Sequence, residues 1–318
     1  MRIFELGSGP DRFEGGAGVV AIGNFDGVHL GHRQVVRCVI ERARTDGVPA
    51  SVLTFEPYPR EYFTPDAAPP RLTSCRHKFE LLLDAGVDRV YCARFGRALA
   101  ATTAEDFVGD ILVARLAVGH VVVGADFRFG RGRAGDVALL SALGRRHGFG
   151  VTAVDDVESS GERVSSSRIR ELLARRDLEG AAALLGRPFS YKGRVIHGDK
   201  RGRTWGFPTA NLAVRRGFFP LAGVFVVELA AEDGFRAFGV ANVGRRPTVQ
   251  GTRLLVEVHL FDVQPDLYGA RVEVTFLAPV REERRFENFE TLKAQIGRDI
   301  DFARAWLGGA RDARAGGR

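Results

Sequence analysis

The sequence has few cysteines and no long apolar run. Its three cysteines, Cys38, Cys75 and Cys92, form no CxxC pair and lie in or beside apolar segments. They are therefore expected to be reduced, small hydrophobic side chains, and a structural zinc site is not expected. No apolar run approaches the roughly 20 residues that span a bilayer, and the first residues lack the apolar stretch of a secretion signal. We therefore predict a cytoplasmic protein with no membrane partner.

Lysine is scarce as well, and this bears on nucleic-acid binding. Only four of the 46 basic residues are lysine, although the net charge is +7. A basic excess is compatible with nucleic-acid binding, but the chain has no lysine-rich arm. Arginine in an alanine-rich chain is also typical of a GC-rich genome, and its planar guanidinium suits small phosphorylated substrates. We predict no nucleic-acid partner and keep a nucleic-acid-binding protein as the alternative of a different class.

The first half of the 318-residue chain alternates strand and helix patterns. Short apolar runs predict strands at 18–23, 51–55, 88–92, 119–124 and 150–154. Between them, apolar residues at helical spacing predict helices at 31–44, 74–85, 103–116 and 136–147. This alternation is typical of a doubly wound, Rossmann-like α/β sheet, in which ligands bind at the carboxyl ends of the strands.

The pattern changes after Pro188. Strand-like segments at about 190–197, 223–230, 236–243, 254–262 and 271–277, with turn residues between them, predict an antiparallel β-barrel. A terminal helix is expected at about 289–307. We therefore predict domains at 1–186 and 187–308, followed by a flexible tail at 309–318.

The segment GNFDGVHLGH (23–32) lies between the first predicted strand and helix. Its glycines let backbone N–H groups approach an anion at the helix N-terminus. His29 and His32 are three residues apart, so both imidazoles can face one ligand and donate hydrogen bonds to a phosphate. The predicted binding residues of this segment are Gly23, Asn24, Phe25, Asp26 and Gly31.

A second element, VSSSRIRELL (164–173), places cations where an isolated helix disfavours them. Ser165, Ser166 and Ser167 can cap a helix, and Arg168 and Arg170 then fall in its first turn. Cations beside the positive end of a helix are unfavourable unless an anion is present. The segment is therefore compatible either with an ordinary serine cap or with a polyphosphate site.

Together these elements resemble the nucleotidylyltransferase superfamily. In their order along the chain, GNFDGVHLGH, TFEPYP (54–59), RLTSCRHKFELL (71–82), VVVGADFRFGRGRAGD (121–136) and VSSSRIR are similar to the adenylyltransferase module of bacterial bifunctional riboflavin kinase/FAD synthetases. The resemblance implies that His29, His32 and Arg170 stabilise charge on a triphosphate. It also implies binding roles for Asp126, Phe129 and Arg131. GRGRAG (130–135) also matches a dinucleotide-binding pattern, but it follows the fourth predicted strand and no hydride-transfer site is evident.

The segment KGRVIHGDKRGRTWGFPTAN (192–211) follows the predicted boundary. It nearly matches a phosphate-binding P-loop, but Asp199 interrupts the pattern and no Ser or Thr follows Lys200. Thr209 and Asn211 point the same way in an extended segment, and their oxygens suit Mg²⁺. Glu257 interrupts an otherwise apolar strand, VEVHLFD (256–262), where it is either a general base or a surface residue of an edge strand.

These segments, with GVANVGRRPT (239–248), DLYG (266–269) and VREERRF (280–286), resemble the riboflavin kinase module of the same family. The resemblance implies that Thr209 and Asn211 bind Mg²⁺ with ATP, that Glu257 is the base and that Arg281 lies near the flavin. Further binding residues are expected at Gly193, Gly198, Lys200, Gly202, Arg203 and Pro208.

The expected function is therefore a bifunctional transferase. The C-terminal domain would phosphorylate riboflavin to FMN with Mg²⁺ and ATP, and the N-terminal domain would adenylylate FMN to FAD with a second ATP. The alternative within the same folds is a kinase or adenylyltransferase with another acceptor. The sequence leaves the oligomeric state open.

Overall fold

The computed structural model describes residues 2–6, 16, 18–159, 161–197, 207–214, 219–248, 251–284 and 286–315. It contains two compact units. The first unit comprises Met1–Pro69 and Cys75–Ser166, and the second comprises Pro70–Ser74 and Ser167–Arg318. The predicted domain boundary near 186–188 differs from the division between these units and remains a prediction. Within the described part of the chain, no helix is long and apolar enough to cross a membrane.

A six-stranded sheet forms the centre of the first unit. Its strands are β1 (Arg2–Leu6), β2 (Gly18–Ile22), β3 (Ala50–Glu56), β4 (Arg89–Arg94), β5 (Val118–Gly124) and β6 (Gly150–Val154). Their order is β1-β4-β3-β2-β5-β6, and every neighbouring pair is parallel. The predicted doubly wound sheet is therefore confirmed, and β1 is an additional edge strand.

Helices cover both faces of this sheet. They are α1 (Leu30–Asp46), α2 (Pro59–Phe63), α3 (Cys75–Asp84), α4 (Arg97–Ala101), α5 (Ala104–Asp106) and α6 (Val137–His147). Val39 of α1 and Leu82 of α3 pack in one apolar cluster, and Leu140 of α6 packs in a second together with Leu112, which follows α5. These clusters bury both faces of β2, β3 and β5, which explains why the sequences of these strands are continuous apolar runs.

The predicted helix at 103–116 is replaced by α5 and a π-helix, Phe107–Arg115. The amide of Leu116 donates to the carbonyl of Ile111, five residues back, as the wider turn requires. Phe107, Val108 and Leu112 of this segment are all buried. The difference from the prediction is thus a local widening of the predicted helix.

The second unit contains α7 (Ser166–Ala174), which begins at the last residue of the first unit, α8 (Leu178–Leu185) and a closed antiparallel barrel. The barrel strands are β9 (Ser190–Ile196), β10 (Ala210–Ala213), β11 (Gly223–Ala231), β12 (Arg236–Thr248), β13 (Gly251–Leu260) and β14 (Arg271–Arg281). A short hairpin, β7 (Glu158–Ser159) and β8 (Glu162–Arg163), belongs to the first unit. The predicted barrel is confirmed, and each of its strands pairs with a neighbour on both sides.

The terminal helix, α9 (Phe289–Ala315), packs on the barrel. Ala303, Ile300 and Trp306 contact an apolar cluster that includes Val226 of β11 and Val240 of β12. The helix continues beyond the predicted end at 307, so residues 309–315 of the predicted flexible tail are helical. The sequence there is rich in alanine and arginine, which are good helix formers.

His120 predicts a pH dependence for the stability of the first unit. It is buried in β5, with Nε2 2.8 Å from the hydroxyl of Thr152. Burial, and then the positive charge of Arg42, lowers the pKa of His120 below the usual 6.5. Because the unfolded chain then binds a proton that the folded chain resists, the free energy of unfolding falls as the pH drops below about 6.5.

We expect His120→Gln to reduce this fall between about pH 7 and about pH 5, as measured by urea unfolding of both proteins. A slope identical to that of the original chain would show that His120 does not carry the effect.

Candidate active sites

The turn between β2 and α1 has unusual backbone geometry. Phe25, Gly27 and Val28 have φ of 53°, 87° and 42°. Positive φ is unstrained for glycine but costly for phenylalanine and for β-branched valine. Phe25 and Val28 are both fully buried, so their packing holds the turn in this conformation. The predicted glycine turn is therefore a fixed, strained structure.

His29 and His32 lie together at the start of α1, as their spacing predicted. Their rings stack with centroids 3.6 Å apart and planes 18° apart. His29 is the N-cap residue, and its Nδ1 accepts a hydrogen bond from the amide of His32 at 3.3 Å. A Cβ on Gly31 would lie 3.2 Å from the His29 ring, so glycine permits this close approach.

A cavity of about 270 Å³ opens onto the histidines. It is lined by several of the predicted binding residues, namely Gly23, Phe25, His29, Gly31, His32, Asp126, Ser165 and Ser166. The chain thus brings the glycine turn, the end of β5 and the start of α7 to one cavity at the carboxyl ends of the strands.

Arg163 is a candidate that the sequence reasoning missed. It lines the same cavity and forms ion pairs with Asp126 at 2.7 Å and Asp156 at 2.8 Å. The hydrogen bond that Arg163 donates to the Asp126 carboxylate raises the pKa of Arg163, so its guanidinium stays charged. The signal in the sequence is a cation directly before the segment VSSS (164–167).

Four predicted binding residues of the first unit lie outside this lining. The carboxylate of Asp26 accepts a hydrogen bond from the Tyr58 hydroxyl, and the carbonyl of Asn24 accepts one from the Thr54 hydroxyl. Phe129 is buried in the core, and Arg131 lies in an exposed 3₁₀ turn, Arg131–Arg133. The hydrogen bonds at Asn24 and Asp26 therefore hold the turn in place. Binding roles for Phe129 and Arg131 remain predictions.

The serines and arginines at the start of α7 are divided between the two units. Ser166 donates to the carbonyl of Asp26 at 2.9 Å within the first unit. Ser167 begins the part of α7 that belongs to the second unit. There Arg168 forms an ion pair with Glu171 at 3.2 Å, and Arg170 donates to the carbonyl of Pro70 at 2.6 Å. Both arginines therefore have partners within the second unit.

A second arrangement of polar side chains lies on the barrel. Strand β13 pairs with β10 on one side and β12 on the other, which places Asn211 and Asn242 directly opposite Glu257. Residues directly opposite in an antiparallel pair have side chains on the same face. Because β13 is paired on both sides, the interpretation of Glu257 as an edge-strand residue is wrong. Asn242 was not predicted, because strand register is not visible in the sequence.

The PTAN segment is held against the same strand. Asn211 is only 8% exposed and its amide nitrogen donates to the carbonyl of Thr209 at 3.2 Å. The ring of His259 lies 3.0 Å from the carbonyl of Pro208. With its nitrogen committed, Asn211 has its amide oxygen left to act as an acceptor beside Thr209. This donor set suits a hard cation such as Mg²⁺.

A cavity of about 380 Å³ lies between β13, the turn after it and α9. Its lining includes Pro208, His259 and Ile300. At its margin Arg304 pairs with Asp262, at 2.7 and 3.0 Å, which lowers the pKa of that carboxyl group. His259 follows Glu257 by two residues and therefore lies on the same face of the strand.

Arg281 ends β14 and makes a two-pronged contact with Asp299 of α9. Its Nε lies 2.9 and 3.0 Å from the two carboxylate oxygens, and its Nη2 lies 2.8 Å from one of them. The Asp299 side chain is 5% exposed and also accepts from Gln295 at 2.7 Å. Arg281 therefore has a structural partner in addition to its predicted binding role.

The remaining predicted binding residues are in or near β9. Gly193 lies in β9, and a Cβ there would be 3.2 Å from both Leu212 and Tyr191, so glycine permits close packing of the barrel wall. Gly198, Lys200, Gly202 and Arg203 lie outside the described residues.

Comparison with known families connects both sites to flavin enzymes. A family model described as FAD synthetase matches residues 14–168, and one described as riboflavin kinase matches residues 185–307. The order of the two matches along the chain is the order predicted.

Relatives match most of the chain. A bifunctional riboflavin kinase/FMN adenylyltransferase of Escherichia coli K12 is 48% identical over 290 residues, which cover 91% of this chain and 93% of that protein. The proteins of the same name from Pseudomonas fluorescens and Haemophilus influenzae are 47% and 45% identical, over 90% and 91% of this chain and 92% and 94% of their own lengths.

A solved structure with a different title shares the fold. The crystal structure titled as a macrolide-efflux protein from Streptococcus pneumoniae superposes with a TM-score of 0.80 at 29% identity, covering 96% of this chain and all of that one. The activity in that title belongs to that protein alone.

The Arg281–Asp299 pair predicts a large effect on stability. Asp299→Ala removes the buried carboxylate and leaves a guanidinium that is only 19% exposed without its counter-charge. We expect the free energy of unfolding in urea to fall by about 3 kcal/mol.

Asp301→Ala, at an exposed position of the same helix, is the matched control and should change stability by less than about 0.5 kcal/mol. Equal effects of the two substitutions would contradict the assigned importance of the pair.

Proposed function

Because the chain belongs to the family of bifunctional riboflavin kinase/FMN adenylyltransferases, we propose which of its residues carry each reaction. Riboflavin kinase activity lies in the C-terminal part, and FMN adenylylation lies in the N-terminal part. The observation that carries the kinase assignment is the register that places Glu257 between Asn211 and Asn242. The histidine-lined cavity carries the adenylylation assignment.

Glu257 is the proposed general base of the kinase reaction. Its carboxylate accepts the proton of the riboflavin 5′-hydroxyl while that oxygen bonds to the γ-phosphorus of ATP and the bond to the β-phosphate oxygen breaks. FMN and ADP are the products. The half-buried position of Glu257 beside Asn211 supports this role, since its carboxylate is held on one face of a strand that is fixed on both sides.

Thr209 and Asn211 are the proposed ligands of Mg²⁺ carried by ATP. When bound, the cation neutralises charge on the phosphates. The buried amide of Asn211, oriented by the Thr209 carbonyl, keeps an oxygen at a fixed position next to the threonine. Binding roles for Gly193, Gly198, Lys200, Gly202 and Arg203 remain part of this proposal.

The flavin ring is proposed to occupy the 380 Å³ cavity on the barrel. Pro208 and His259 connect this cavity to the PTAN segment and to the face that carries Glu257. A flavin bound there can present its ribityl chain to Glu257, two residues back along β13. Asp299 holds Arg281 at the end of β14 for its predicted role near the flavin.

In the adenylylation reaction, a phosphate oxygen of FMN bonds to the α-phosphorus of ATP and pyrophosphate leaves. No protein nucleophile is required, because the FMN phosphate is already anionic. His29 and His32 are proposed to donate hydrogen bonds to the phosphates, assisted by the turn amides and by the charge of Arg163. Roles for Arg168 and Arg170 on the triphosphate remain a prediction. We also propose a cytoplasmic location, where Cys38, Cys75 and Cys92, none of which forms a disulfide in the structure, stay reduced.

Two variants that each lose a different activity test whether the two reactions occur at separate sites. Glu257→Gln should lower FMN formation from riboflavin by at least about 100-fold, the contribution of a general base, and leave FAD formation from supplied FMN intact. His32→Ala should form FMN but little FAD. Chromatography of the products from riboflavin, ATP and Mg²⁺ measures both. Loss of both activities in either folded variant would overturn the assignment.

Mg²⁺ dependence tests the proposed ligands. We expect Asn211→Ala to raise the Mg²⁺ concentration for half-maximal kinase activity by about tenfold or more, the scale seen when partners at a metal site are removed. Asn242→Ala, on the other side of Glu257, is the matched control and should leave that concentration unchanged. Equal Mg²⁺ requirements in Asn211→Ala and the original chain would exclude Asn211 as a ligand.

A further inference from the structure

Lys78 is completely buried in the first unit. Its ammonium lies 3.0 Å from the hydroxyl of Thr54 and 3.1 Å from a carboxylate oxygen of Glu56. The ring of Tyr58 lies 4.5 Å from the same nitrogen. Burying a cation is costly unless it is paired and hydrogen-bonded, as it is here. Apolar side chains often replace buried ion pairs without loss of stability. Stability alone therefore does not explain the buried Lys78–Glu56 pair.

Two of the groups that hold the ammonium also hold the glycine turn. The Thr54 hydroxyl accepts from Lys78 and donates to the carbonyl of Asn24 at 3.2 Å. The Tyr58 hydroxyl donates to the carboxylate of Asp26 at 3.3 Å. One intervening side chain, Thr54 or Tyr58, therefore links Lys78 to each of two positions in the turn, Asn24 and Asp26.

That turn needs support from the surrounding structure. Phe25 and Val28 have positive φ, and such residues persist only where the surrounding structure over-determines them. His29 follows Val28 directly and caps α1, so a relaxed turn would shift both imidazoles. The contacts through Thr54 and Tyr58 act on Asn24 and Asp26, the residues that flank Phe25.

We infer that Lys78 is a positioning residue for FMN adenylylation. Its buried ammonium fixes the end of β3 and Tyr58, and these fix the strained turn that sets the places of His29 and His32. This inference rests on the adenylylation role proposed for the histidine-lined cavity. Lys78 itself is not proposed to contact ATP or FMN.

Lys78→Met keeps the apolar length of the side chain and removes the charge. The expected result is a fall in kcat for FAD formation from FMN by about tenfold to 100-fold, the scale of a misplacement of about 1 Å, with the KM values for ATP and FMN nearly unchanged. Riboflavin kinase activity of the same protein should be unaffected, which shows that the chain is folded. A rise in KM alone, or equal loss of both activities, would overturn the inference.

A second variant separates positioning from stability. Lys78→Met leaves the Glu56 carboxylate without its cation, and Lys78→Met with Glu56→Gln removes that leftover charge. The double variant should regain most of the urea-unfolding midpoint while kcat for adenylylation stays low. Recovery of kcat together with stability would mean that Lys78 acts only by stabilising the fold.

The connection through Thr54 can be tested by itself. Thr54→Val removes the hydroxyl at constant shape, whereas Thr54→Ser keeps it. Thr54→Val should lower kcat as Lys78→Met does, Thr54→Ser should stay near the original value, and Thr54→Val combined with Lys78→Met should lose little more than either alone. Multiplicative losses would show that Thr54 and Lys78 act independently and would overturn the proposed connection.

If the proposed function of the cavity were wrong, His32→Ala would leave FAD formation intact. That outcome is distinct from failure of the Lys78 inference, in which His32→Ala lowers FAD formation but Lys78→Met does not.

Discussion

The site of the first unit depends on one constraint, the strained turn between β2 and α1. Phe25 and Val28 adopt backbone angles that cost of order 1–3 kcal/mol each, and the surrounding contacts must offset that cost. The burial of both side chains and the hydrogen bonds from Thr54, Tyr58 and Ser166 provide this support. The result is a pair of stacked imidazoles at the start of a helix, where the helix dipole favours phosphate groups.

In the barrel, strand register positions the polar side chains. Strand pairing on both sides of β13 aligns Asn211, Glu257 and Asn242 on one face, and closure of the barrel prevents the strand from slipping. The hydrogen bond between His259 and the Pro208 carbonyl then holds the PTAN segment against that face. Both units therefore place charged and polar groups on rigid elements, as phosphoryl and adenylyl transfer require, because these reactions depend on positioning and on electrostatic stabilisation.

The sequence allowed the parallel sheet, the barrel, the terminal helix and the candidate histidines to be predicted, because their signals are local: apolar periodicity, turn glycines and the HxGH and PTAN spacings. What it did not reveal depends on contacts between distant segments. Asn242 is a neighbour of Glu257 only through strand register, and Arg163 joins the cavity only through the fold of the hairpin β7–β8. The π-helix and the buried ammonium of Lys78 likewise follow from packing that no short segment specifies.

The central claim is that two separate sets of residues perform two successive reactions. The most direct measurement is FAD formation from riboflavin, ATP and Mg²⁺ in an equimolar mixture of the Glu257→Gln and His32→Ala proteins. The account predicts that the mixture forms FAD after a lag, because FMN made by the His32→Ala protein is adenylylated by the Glu257→Gln protein. Failure of the mixture to form FAD, while each protein retains its one remaining activity, would contradict the claim that the two sites act separately through released FMN.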